Sequence, residues 1–285
     1  MRLAEQVDRC AGMNRDRFER EYVDPSRPVI LTDAISHWRA VGRWTPQFFK
    51  SKYGQLRVKV DDEVMVLGEL VDRIEASTSD RPAPYLHNQL LAEWPPELLD
   101  DIRPMPDCTR PNWLESRLFP SREDLSFVEV YIGGRGARFP VLHYDGWHTH
   151  AFLMQLHGDK EYVAFAPDQG AFMYPREGLE VNKSKIDDVT DPDLVAFPLF
   201  GQAEGVRLQL HPGETLFIPA GWWHTARILS PSVTVSINAV NRANATAFRR
   251  DYCANLARRS RLRALAVEAA LFLGQLTGLF EIPIF

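Results

Sequence analysis

His143 and Asp145, separated by Tyr144, and His224 in Trp222-Trp223-His224 are the side chains best suited to hold a metal ion. Two neutral imidazoles and one carboxylate on one face of an octahedron leave three positions open, a set that suits a redox-active ferrous ion. On a β-strand, residues i and i+2 point to the same side, so His143 and Asp145 would grip one ion together. The third ligand must then arrive from a distant strand. A His-x-Asp triplet alone is more often surface charge or a hydrogen-bonded core pair. Here it lies between Phe139-Pro140-Val141-Leu142 and Ala151-Phe152-Leu153-Met154, where an unpaired carboxylate would be costly to desolvate. The stretch from His211 to Trp223 reads as a turn, a short strand and a second turn that deliver His224 at a strand start.

The elements that must position these residues change character along the chain. Before about residue 120 helices and short strands alternate with Pro-rich connections: a helix over 14–21, a strand over 28–32, a helix opened by Thr45 as N-cap and Pro46 at its first position, a strand over 56–60, and helices over 67–76 and 90–99. From 126 to 238 strands dominate, expected at 127–132, 141–145, 151–156, 161–165, 206–210, 215–218, 226–229 and 233–238. Many short strands punctuated by Gly and Pro indicate a closed or double-sheet architecture. The expected fold is mainly β with flanking helices, a double-stranded β-helix or jelly roll. The expected organisation is an N-terminal helical and strand region, 1–120, packing on the barrel; a jelly-roll core, 121–244; and C-terminal helices, 245–285.

Composition sets limits. The chain has 285 residues, 45% hydrophobic and 25% charged, enough for one substantial core. A net charge of -5 argues against a broad footprint for nucleic acid, and none is expected as a partner. Cys10, Cys108 and Cys253 are odd in number and widely spaced, which suggests neither a disulfide framework nor a zinc knuckle and fits a reducing cytoplasm. The first residues carry charges where a secretory signal would need an apolar run. A cytoplasmic location is therefore expected, with peripheral contact to the inner face of a membrane as an extension of it.

That extension comes from the tail. Leu262, Leu265, Ala269, Phe272, Leu273, Leu276 and Phe280 recur at helical spacing and mark one apolar face of a helix over 262–280, interrupted by Glu268, Gln275 and Thr277. Arg258, Arg259, Arg261 and Arg263 precede or open it, and basic residues beside an apolar face can dock on anionic lipid. The same face could instead pack on the body of the protein or on a second subunit, giving a homodimer through the C-terminal helices.

Six short motifs fall in order along the chain: Pro140-Val-Leu-His-Tyr-Asp145, Gln155-Leu-His-Gly-Asp-Lys160, Phe165-Ala-Pro-Asp-Gln169, Pro212-Gly-Glu-Thr-Leu-Phe-Ile-Pro219, Trp222-Trp-His224 and Ser236-Ile-Asn238. Over about residues 15–245 this pattern resembles the JmjC, or cupin-like, 2-oxoglutarate oxygenases. The resemblance implies Fe(II) held by His143, Asp145 and His224, with 2-oxoglutarate and O2 as co-substrates. It places Lys160 at the distal carboxylate of 2-oxoglutarate, Tyr85 as a second donor to that carboxylate and Asn238 near the co-substrate. The residues themselves support Lys160: it is one of only 6 lysines against 27 arginines, and it opens an apolar strand where a buried cation requires an anion. The alternatives are a hairpin-edge surface charge for Lys160 and simple packing for Tyr85.

Two departures from the family pattern bear on substrate binding. Pro140 stands where the family often has a Thr that helps hold 2-oxoglutarate, and the segment between Asp145 and Gln155 is longer than the asparaginyl-hydroxylase form and lacks its Asn. His148 and His150 in that segment are assigned first to substrate contact, then to the surface and last to metal. Trp147 and Trp223 could wall the entrance, although core packing is the commoner fate of tryptophan. The family reaction is oxidative decarboxylation of 2-oxoglutarate to succinate and CO2 coupled to hydroxylation of an unactivated C–H bond. The primary substrate would be a peptide or protein side chain, or a bacterial metabolite or glycolipid sugar such as the 3-deoxy-manno-octulosonate of lipopolysaccharide. The competing function is a non-catalytic cupin that binds a sugar or a partner.

Overall fold

The alternation of the middle of the chain becomes two facing sheets in the computed structural model, which describes residues 1–5, 7–116, 118–119 and 128–281. In chain order the strands are β1 (Arg2–Ala4), β2 (Asp8–Cys10), β3 (Val29–Leu31), β4 (Arg57–Val60), β5 (Glu63–Val66), β6 (Leu86–Leu90), β7 (Val128–Gly133), β8 (His150–His157), β9 (Lys160–Phe165), β10 (Glu204–Leu210), β11 (Thr215–Ile218), β12 (Trp223–Ile228) and β13 (Ser232–Ala239). The α-helices are α1 (Arg15–Phe18), α2 (Pro46–Tyr53), α3 (Leu67–Glu75), α4 (Glu97–Asp101), α5 (Ala245–Ala257) and α6 (Arg261–Thr277). One sheet runs β2-β3-β11-β8-β13-β7-β6 and the other β1-β10-β9-β12, with β4-β5 a separate hairpin. This is the expected jelly roll.

Period-2 alternation sorts the residues of the larger sheet into two faces. Val130, Ile132, Phe152, Met154, Val235 and Ile237 turn outward into one buried cluster with Trp38, Trp44, Phe49 and Leu70 of the N-terminal segment. Each such side chain contributes about 1.5–3 kcal/mol by leaving water. Their neighbours Glu129, Tyr131, Ala151, Leu153, Thr234 and Ser236 face the smaller sheet and line the cavity between the two. The segment before residue 120 packs on the barrel and also extends it: β1 joins one sheet, and β2, β3 and β6 join the other.

Several expected elements differ. The helix expected over 90–99 is absent, because Leu90 ends β6, a single 3-10 turn covers Leu91–Glu93, and Pro95 and Pro96 restrict Trp94 to extended backbone before α4 begins. Residues 141–145 form no regular strand; His143 makes isolated bridges to His224 and Lys183. Strand β12 starts at Trp223 rather than 226, and β7 starts at Val128, Phe127 and Ser126 lying outside the described residues. Elsewhere the local signals act as read. Thr45 accepts the amide of Phe48 at 3.0 Å above Pro46, and Asn14 caps α1, which continues as a π-helix through Glu19–Val23.

The tail reverses an expectation. Helix α6 faces the body of the protein with Ala264, Val267, Leu271 and Gly274, while Leu262, Leu265, Ala269, Phe272, Leu273 and Leu276 are exposed. Of the face expected from the sequence only Phe280 is buried, its ring lying over Gly274 where a Cβ would meet it at 1.9 Å. The small-residue side approaches closely and the larger leucines remain outside. Among the described residues no helix is long and apolar enough to cross a membrane.

The β8–β9 hairpin fixes where Lys160 begins. Gln155, fully buried, donates to the carbonyls of His157 and Gly158 at 2.8 Å each and to Ser232 Oγ at 2.9 Å, and accepts from Thr234 Oγ1 at 2.8 Å. Gly158 sits at φ +69°, and a Cβ there would stand 2.0 Å from the carbonyl oxygen of Pro231. Gly158→Ala is accordingly expected to destabilise the fold by about 2 kcal/mol or more, read as a lowered urea midpoint; an unchanged midpoint would show that the turn yields freely.

Candidate active site

His143 and His224 meet through their backbones. His143 N donates to His224 O at 3.1 Å and His224 N to His143 O at 2.6 Å, so the first and third ligands are fixed by one antiparallel bridge. Both rings are oriented in the same way: His143 Nδ1 lies 3.1 Å from the Val141 carbonyl and His224 Nδ1 2.9 Å from that of Trp222. A carbonyl can only accept, so Nδ1 carries the proton and Nε2 is left as a bare lone pair. Those Nε2 atoms lie 4.0 and 3.9 Å from the oxygens of Asp145, and all three donors fall within 4.8 Å of one another.

Burial pushes the pKa of His143 well below its usual value, and the His224 ring adds to that. It pushes Asp145 upward, while His224 and a hydrogen bond to Asn238 pull it back. Both shifts disfavour charged forms, and a dication would reverse the sign for the carboxylate while keeping both imidazoles neutral. The donor set, the fixed tautomers and the half-buried carboxylate fit a divalent metal ion. Asn238 also donates to Thr149 Oγ1 at 2.8 Å, so it holds Asp145 from a fixed position.

The cluster lies in a cavity of about 480 Å³ between the sheets. Lys160, 1% exposed, opens β9 inside it and donates to the Tyr85 hydroxyl at 2.9 Å. The rings of Tyr85 and Tyr131 stand 5.3 and 5.6 Å from its Nζ, and among the described residues no carboxylate lies within ion-pair distance of it. Glu161, its neighbour, faces away and pairs with Arg227 at 3.0 Å. Burial lowers the Lys160 pKa to about 7 and raises that of Tyr85 well above its usual value, so the phenol keeps its proton. The Tyr85 oxygen accepts from the lysine, leaving its own O–H to donate to an incoming anion. His224 pairs with Ala164, four residues from Lys160 on β9 and about 13 Å along the strand. Imidazole and ammonium reaching toward each other over that span leave room for a short dicarboxylate.

Residues 15–244 match the model of the cupin-like domain family. The chain belongs to that family. Membership bears out the resemblance, the fold class and the iron and 2-oxoglutarate cofactors that accompany them. Relatives of this cupin-like protein include lysine-specific demethylase 8 of Danio rerio, 28% identical over 81% of this chain and 57% of that protein. Others are arginine-specific demethylase JMJ22 of Arabidopsis thaliana, 25% identical over 84% and 47%, and Jumonji C domain-containing protein 5 of Drosophila melanogaster, 25% identical over 78% and 56%. The chain thus spans about half the length of the curated relatives it matches.

The structure brings His143, Asp145, His224, Lys160, Tyr85, Asn238 and Trp147 of this cupin-like protein to one cavity. His148, His150 and Trp223, expected at the substrate, lie outside its lining. On β8 the cavity face is Ala151 and Leu153, so His150 turns the other way, onto Phe217, where burial lowers its pKa to about 4. Trp223 alternates with His224 and packs under Phe165 and Tyr144. His148 follows Trp147 in left-handed backbone, φ 52° after 55°, and Nδ1 meets Asp251 of α5 at 2.6 Å. Two such non-glycine residues cost about 1–3 kcal/mol each and are held by α5, where Asn244 caps the His148 carbonyl at 2.9 Å and Tyr252 meets the Trp147 ring edge-on at 5.3 Å.

Sequence reasoning missed Tyr131, Tyr162, Glu129, Thr149, Thr234 and Lys183, which line the cavity. The signal was available for two of them: once Lys160 is placed inward, Tyr162 follows by alternation, and Thr234 follows from Asn238 in the same way.

Asp145→Ala and His224→Ala are expected to weaken Co(II) or Fe(II) binding by more than about 100-fold in titration calorimetry, and Asn238→Ala by roughly 10–100-fold, with the thermal melt little changed; equal metal affinity in all three would remove the site. The lysine sets a pH signature. Its pKa in the ligand-free fold is about 7 against the ordinary 10.5, so the unfolded chain holds more protons in that window and the empty protein gains stability as pH rises through it. A bound dicarboxylate needs the ammonium form, so succinate at pH 8 should bind with proton uptake and more weakly as pH climbs. Calorimetry in buffers of different ionisation enthalpy reads this, and the uptake should vanish in Lys160→Met.

Proposed function

We propose that the protein is an Fe(II)- and 2-oxoglutarate-dependent oxygenase that hydroxylates a C–H bond of a peptide or protein side chain. The observation that carries this reading is a buried ammonium with no carboxylate partner among the described residues, Lys160 with Tyr85, in the same cavity as a His-Asp-His set whose lone pairs converge. A bound ferrous ion would supply the activation of dioxygen and the oxidative decarboxylation of 2-oxoglutarate. The chain's own residues do the rest. Lys160 and Tyr85 take the distal carboxylate, His143 and His224 are fixed by their carbonyl partners, Asn238 steadies Asp145, and the apolar wall of Phe139, Val141, Ala151 and Leu153 excludes water.

One fact favours a basic side chain as the target: relatives are named for lysine and arginine. The anionic sugar reading needs a second cation beside Lys160, and Lys183, which lines the cavity, is engaged with Glu180 at 2.7 Å. Which carbon of the side chain is oxidised decides the product: a ring or chain carbon keeps the new oxygen, whereas an N-methyl carbon leaves as formaldehyde.

The test is succinate formation from 2-oxoglutarate with Fe(II) and peptides bearing arginine, lysine and their methylated forms, with product masses read by mass spectrometry. Gain of one oxygen marks hydroxylation and loss of a methyl group marks demethylation. Iron uptake without succinate in any mixture, coupled or uncoupled, would instead support the binding cupin.

A further inference from the structure

Strand β9 turns a second polar side chain into the cavity after Lys160. Lys160 and Tyr162 line it, while Glu161 pairs with Arg227 and Val163 and Phe165 pack on the other face. Tyr162 pairs with Ala226 on β12, between the levels of Lys160 with Ile228 and of Ala164 with His224. It therefore stands halfway between ammonium and metal triad, about 6.6 Å along the strand from Lys160.

Tyr162 is 3% exposed, and among the described residues its hydroxyl has no hydrogen-bond partner. Burial alone raises its pKa, so the phenol keeps its proton. Burial, and after it the nearby Tyr162 phenol, raises the pKa of Tyr85, which places the two hydroxyls in one neighbourhood. Other hydroxyls of the lining are already engaged. Tyr131 donates to Glu129 at 2.6 Å, Thr234 to Gln155 at 2.8 Å, and Thr149 and Thr225 to the carbonyls of Gly146 and Phe139 at 3.3 and 3.4 Å. Pro140, in the same wall, has no donor to give. Ser236 also keeps an O–H, but it projects from the opposite sheet, whereas Tyr162 shares a strand with Lys160.

The distal carboxylate of a diacid can use more donors than Lys160 and Tyr85 supply. A carboxylate presents about four lone-pair directions. Lys160 spends one of its N–H groups on Tyr85 and holds the rest between the rings of Tyr85 and Tyr131, and Tyr85 adds a single O–H. Between apolar walls a lone pair left without a donor weakens binding. We infer, on the co-acid reading proposed above, that Tyr162 is a third donor to the distal carboxylate, completing a cradle of one ammonium and two phenols. Its hydrogen bond forms only when the diacid is present, so the hydroxyl adds to ligand affinity and not to the stability of the empty fold.

Tyr162→Phe keeps the ring and removes only the hydroxyl. With Co(II) as the metal, calorimetry should show 2-oxoglutarate binding weakened about 10–100-fold. Affinity for Co(II) itself should be unchanged, as should that for oxalate, which can chelate the metal but has no distal carboxylate. Without ligand the variant should melt at the wild-type temperature or above it, since no partner is lost. Ser236→Ala should bind 2-oxoglutarate as the wild type does. Equal 2-oxoglutarate affinity in Tyr162→Phe, a loss shared by oxalate, a lowered melt without ligand, or an equal loss in Ser236→Ala would overturn the inference. Wild-type protein that binds Co(II) and oxalate but not 2-oxoglutarate would overturn the co-acid reading and this inference with it.

Discussion

A buried ammonium is the constraint around which the rest is arranged. Lys160 is enclosed between two sheets, with one phenol and two aromatic faces for company, and burial alone brings its pKa to about 7. Such a group is costly unless an anion joins it. The fold accepts the cost at one end of the cavity and a second one, Asp145, at the other. Each charge lacks what a chelated diacid on a dication would bring to it, so the binding of ion and co-acid completes the electrostatics of the interior.

Geometry delivers both ends from neighbouring strands. Lys160 begins β9 and His224 lies near the start of β12, paired antiparallel, so the separation of the two functions is set by strand rise. Gln155 and Gly158 fix the turn from which β9 starts, and the backbone bridge between His143 and His224 fixes the loop that carries Asp145. Precision at the site thus comes from hydrogen bonds that contain no ligand atom.

Legibility in the sequence followed periodicity. The strands of the core and the Thr45-Pro46 cap could be read because local signals and alternation agreed, and the convergence of His143, Asp145, His224, Lys160 and Tyr85 because the chain carries the family's motifs in order. Residues 141–145 could not, since a segment gripped by single bridges has no periodic signal, and the helix expected over 90–99 gave way to the paired prolines. His150 and Trp223 were misplaced for one reason: each alternates with a cavity-facing neighbour, Ala151 and His224, and so turns to the opposite face of its strand. The tail shows the limit of amphipathicity as a guide. Helix α6 has two apolar sides, and the one with smaller residues won the interior because it allows closer approach to α5.

Helix α5 stands between the C-terminal helix and the segment that follows the carboxylate ligand. On one side Cys253 and Leu256 pack with Ala264, Val267 and Leu271 of α6; on the other Asp251 and Tyr252 hold His148 and Trp147, directly after the carboxylate ligand. One wall of the cavity, Trp147, is therefore held from outside the barrel, by a strut whose footing is the C-terminal helix pair. Substitution at 251 or 252 can reshape that wall and leave the iron-binding triad intact, which separates the evolution of selectivity from the preservation of chemistry.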